Sequence, residues 1–178
     1  MNLPKEEGYE ISPDDINVAL TEADFRSGDA VLLRTGWGDK DWYHRPGTKY
    51  MLGTPHFSVE SATYLAQQMK NRESDLLLTD MALIAFPEKH LIPEWIPMTT
   101  RPEPLPSQRA DGYLRAYTSE KMSEDYAAAL ALAHAGIMTV KRLVNCEAIQ
   151  DSRIRIIVGP LNLIRGIGSP CRVVAVEY

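Results

Sequence analysis

Residues 28–37 read GDAVLLRTGW. Gly28 and Asp29 give a turn signal, and Ala30 to Leu33 follow as an unbroken apolar run. Such a run lacks the alternation of a half-exposed strand and marks one covered on both faces. It ends in Thr35-Gly36-Trp37, where glycine lets the chain turn and the tryptophan emerges near the strand's carboxyl end. A second run of this kind, DLLLTD, occupies residues 75–80. Between the two, Ser58 caps the amphipathic segment VESATYLAQQMK, with Val59, Ala62, Leu65 and Met69 on one face. A helix between two continuous apolar strands reads as a βαβ-type unit, so the expected fold class is α/β.

Further elements extend this unit in both directions. Ser12-Pro13-Asp14-Asp15 combines a capping hydroxyl, a proline at the first helical position and carboxylates at the positive end of the dipole, which predicts a helix to about Leu20. Ser123-Glu124-Asp125 predicts another, running to about Ala135 and stopped by Gly136. IMTV (137–140), IRIIV (154–158) and RVVAVE (172–177) read as strands. Between the last two, GPLNLIRGIGSP carries Gly166 and Gly168, which permit close backbone approach or positive φ. Residues 86–118 hold six of the twelve prolines, at 87, 93, 97, 102, 104 and 106. So long a loop reads as a lid, a binding loop or a subunit arm, with a mobile surface insertion the plain alternative. Trp95 and its apolar neighbours favour an arm packed on something, such as a second subunit.

The 178 residues suit one domain, 1–178, with 44% hydrophobic and 24% charged residues. A net charge of −5 argues against nucleic acid or an anionic membrane as partner. The start, MNLPKEEGYEISPDD, has no signal-peptide core, and no apolar run approaches the ~20 residues of a membrane span. Cys146 and Cys171 form no C-x-x-C pair and read as small core hydrophobes in a reduced, cytoplasmic protein.

Chemical motifs are sparse. No G-x-G-x-x-G opens a helix, no Walker A lysine is present, and no G-x-S-x-G elbow occurs. The four histidines, at 44, 56, 90 and 134, stand singly, whereas a metal site needs ligands that converge. His44 lies in the polar loop DWYHRPG, His56 precedes a helix cap, and His90 sits among charges. His134 falls on a last helical turn, where the dipole favours an imidazolium and a structural role. A pocket is expected at the carboxyl ends of the strands, near Trp37, Trp42, Asp80 and His44, with the loop at Gly168 behind them. Asp80 suits a turn cap as well as a ligand contact.

The segments GYEISPDDI, GDAVLLRTGW, SVESATYLA, LLLTDMALI, HAGIMTVKRLVN and PLNLIRGIGSPCRVVAVE, in this order, resemble the cyclase family of metal-dependent hydrolases. That family includes bacterial kynurenine formamidase and isatin hydrolase. The resemblance covers nearly the whole chain and rests most on GDAVLLRTGW and on the ending PLNLIRGIGSPCRVVA. It implies a swivelling ββα-type domain with mixed β-sheet and few helices. It also implies dimers or tetramers, and zinc- or manganese-assisted attack of water on an amide or lactone carbonyl of a small molecule.

The departures bear on chemistry. The resemblance places a metal motif, H-x-G-T-H-x-D-x-P followed by a histidine, upstream of GYEIS, and residues 1–178 do not contain it. GTPHF (53–57) lacks that motif's first histidine and its aspartate. Family members with two metals also place a histidine on the helix and a glutamate twelve residues on. Aligned on Gly136 and LVN (143–145), these positions hold Ala129 and Lys141, so no metal ligand is assigned in this chain. Two readings follow. One is a hydrolase whose metal-binding part lies outside these residues. The other is a non-catalytic homologue, a pseudoenzyme acting as a binding or assembly subunit beside an intact paralogue.

Overall fold

The computed structural model describes residues 1–39, 50, 53–85, 126–166 and 168–177. Trp42, His44, His90, Ser123 and the proline-rich segment 86–118 lie outside them.

The chain begins with β1 (Glu10–Ile11) and α1 (Pro13–Glu22). The start of α1 is fixed by a reciprocal cap: the Asp15 N–H donates to Ser12 Oγ at 3.2 Å, and the Ser12 N–H donates to Asp15 Oδ2 at 2.9 Å. Next come β2 (Val31–Leu33), β3 (His56–Phe57), α2 (Val59–Lys70) and β4 (Leu76–Thr79). After them stand α3 (Ala127–His134), β5 (Met138–Val140), a 3₁₀ turn at Cys146–Ala148, β6 (Arg155–Pro160) and β7 (Cys171–Val176).

The expected βαβ unit is present. β2 and β4 pair in parallel, Val31 opposite Leu77 and Leu33 opposite Thr79, with α2 between them in sequence. β5 joins the other edge of β4, also in parallel, giving the order β2-β4-β5. β1 and β3 form a small parallel pair, and β6 and β7 an antiparallel ribbon. The α/β class read from the sequence therefore holds.

The core lies where the helices meet the parallel sheet. Ile16 and Ala19 of α1, Leu65 and Met69 of α2, and Leu132 of α3 are buried with Leu33 and Leu77 of the sheet. α2 packs against both α1 and α3. Its buried stripe starts later than the sequence suggests: Ala62, Leu65 and Met69 are buried, whereas Val59 in the first turn is 52% exposed. Gly136, at φ 74°, ends α3 as expected, its N–H donating to the Ala133 carbonyl.

The ribbon departs further from expectation. Cys171 was expected as a core hydrophobe at the head of a buried strand, yet it is only half-buried. The cause is architectural: among the described residues no other layer covers the ribbon, and Ile157 and Val174 stand opposite one another at 55% and 43% exposure.

Candidate functional site

β2 and β4 run in parallel, so their carboxyl ends deliver Thr35–Asp39 and Asp80 to one edge of the sheet. Both side chains at the centre, Thr35 and Asp80, are buried. The Asp80 carboxylate gathers the turn after β2. Oδ1 accepts from the Thr35 N–H at 2.8 Å and the Thr35 hydroxyl at 2.7 Å. Oδ2 accepts from the Gly36 N–H at 2.8 Å and the Gly38 N–H at 3.3 Å. Four donors occupy about all the lone-pair capacity of a carboxylate. Asp80 is therefore an anchor of the Thr35–Gly38 turn.

Two glycines make this turn possible. Gly36 takes φ 85°, a conformation open to glycine at little cost. At Gly38 the backbone passes so close to its neighbours that a Cβ would lie 2.0 Å from the Leu143 carbonyl oxygen and 2.8 Å from Asp80 Cβ. The segment after β5 closes over the same end of the sheet: the Leu143 N–H donates to the Thr79 carbonyl at 3.1 Å and the Arg142 N–H to the Met81 carbonyl at 3.1 Å. Arg142 and Asn145 hold φ 63° and 61° there, strained values for residues with a Cβ.

Trp37 is buried against this turn. Its Nε1–H donates to the Tyr50 carbonyl at 2.9 Å, and its ring stacks on Tyr50 with centroids 6.2 Å apart. Beside the turn, Arg34 Nη2 and Nε donate to Asp39 Oδ2 at 2.9 and 3.2 Å. The buried Cys146 thiol lies in the field of this group. Burial, then the negative charges of Asp80 and Asp39, push its pKa up to about 12 despite Arg34. It is a protonated thiol at neutral pH, which agrees with its reading as a core residue.

The remaining candidates are dispersed. Gly168 sits in the loop joining β6 and β7 with open space about it, while at Gly166 a Cβ would meet Leu163 Cβ at 2.9 Å. Ala129 is half-buried on α3 and packs against the core. Lys141 follows β5 with an exposed surface, although partial burial and then the charge of Arg142 lower its pKa. His134 is exposed on the last turn of α3. His56 is buried in β3, its Nε2 3.9 Å from Glu10, and burial lowers its pKa. Among the described residues, no three or more His, Cys, Asp and Glu side chains converge as a metal site.

In the sequence Asp80 is one isolated polar residue among several. Its place at the carboxyl end of a strand, opposite T-G-W-G on the neighbouring strand, is the signal that singles it out.

Residues 1–81 match a family model described as "Putative cyclase", a span that takes in β1 to β4 and ends one residue beyond Asp80. Nearly the whole chain is matched by structure. It superposes on a potential metal-dependent hydrolase with cyclase activity at a TM-score of 0.59 and 17% identity, covering 98% of this chain and 61% of that one. A "predicted metal-dependent hydrolase from Bacillus stearothermophilus" gives 0.59 and 17%, covering 98% and 60%. Isatin hydrolase A from Labrenzia aggregata, bound to benzyl benzoate, gives 0.61 and 21%, covering 96% and 54%. No curated protein matches by sequence. At these identities the likeness establishes the fold, and the chain spans about three fifths or less of each of those structures.

Proposed function

We propose that the protein serves a cyclase-type hydrolytic unit acting on the C–N or C–O bond of a small amide or lactone, in the manner of an arylformamidase. Its described residues are the scaffold of that unit. The observation that carries this reading is the state of Asp80: a buried carboxylate at the carboxyl ends of the strands, within the family-matched segment, with all its acceptor capacity taken by the turn it shapes.

Among the described residues, the donors at this site do not fit a zinc or manganese ion. Asp80 is occupied by four donors, Asp39 faces Arg34, and the positions that the resemblance gives to a second ligand pair hold Ala129 and Lys141. A hydrolytic metal would therefore take its ligands from outside the described residues, and no catalytic step is assigned to a described side chain. A second subunit, either another copy or an intact paralogue, is the expected partner, and a small molecule the expected substrate.

Metal content and turnover test the reading together. The purified protein, with and without added zinc or manganese, is assayed on N-formylkynurenine and simple lactones. Metal-dependent turnover, alone or on mixing with a paralogue, supports it. No turnover and no bound metal in any combination would leave the non-catalytic reading, which Lys141 favours if it stands where the resemblance places a metal ligand.

A further inference from the structure

We draw no further inference here: the strongest candidate, the exposed apolar patch on the β6–β7 ribbon and the loop that joins its strands, formed by Ile157, Leu161, Leu163, Ile164 and Val174, carries nothing, because nothing in the structure shows what covers it.

Discussion

Asp80→Ala would leave the Thr35 N–H and hydroxyl and the Gly36 and Gly38 N–H groups without their acceptor in a buried site. Loss of a buried acceptor shared by several donors costs about 3 kcal/mol or more, measurable by urea denaturation. A cost under about 1 kcal/mol would show that the turn does not depend on the carboxylate. Gly38→Ala tests the same turn sterically: its Cβ would collide with the Leu143 carbonyl, a backbone atom that a rotamer change cannot move. A melting temperature lowered by several degrees is expected. Cys146 gives a pH test. Its folded pKa of about 12 lies above the ordinary 9.0, so between those values the unfolded chain loses the proton first. Its contribution is fully present below pH 9 and is lost as the pH rises through that window. Cys146→Ala should therefore flatten the alkaline fall in stability, and thiol reagents should reach Cys146 at pH 8 only on unfolding.

Elements tell a more uneven story about what a sequence discloses. β2, α2 and β4 were legible because continuous apolar runs and a 3.6-residue period flank clear caps, and those local signals agree with the packing. α1 was legible for the same reason, and its cap makes a prediction. Burial would raise the pKa of Asp15, but the Lys5 ammonium at 2.6 Å and the Ser12 donors hold it at about 2. That folded value is below the ordinary 3.8, so the stabilisation is present above 3.8 and drains away as the pH falls towards 2. Asp15→Asn should lower stability at pH 6 and have little effect at pH 2, as followed by circular dichroism. The site was less legible. Asp80 stands 45 residues from Thr35, and its role is set by strand register, which no local pattern encodes. The ribbon misled because VVAV reads as buried, and burial depends on what lies against a strand.

At the scale of the whole molecule, Arg153 at the base of the ribbon ties it to the sheet-and-helix body. Arg153 reaches Asp29 through two nitrogens, at 2.6 and 3.0 Å, and the Asp24 carbonyl at 3.3 Å. Glu177 at the end of β7 accepts from the Asp151 N–H at 2.9 Å, tying the two ends of the ribbon together at its base. The Arg153 and Asp29 side chains are 45% and 27% exposed, so solvent screens the pair and limits it to about 1 kcal/mol or less. The body does not need it, because its core residues pack around α2 without the ribbon. Arg153→Ala should therefore leave the main unfolding transition within about 1 kcal/mol of the parent chain. In the same variant, amides of β6 and β7 should exchange faster, while those of Leu77 and Leu78 stay protected. Equal acceleration across both regions would mean that ribbon and body unfold as one unit. Unequal acceleration would fit a body stable by itself, with the ribbon opening as a separate unit.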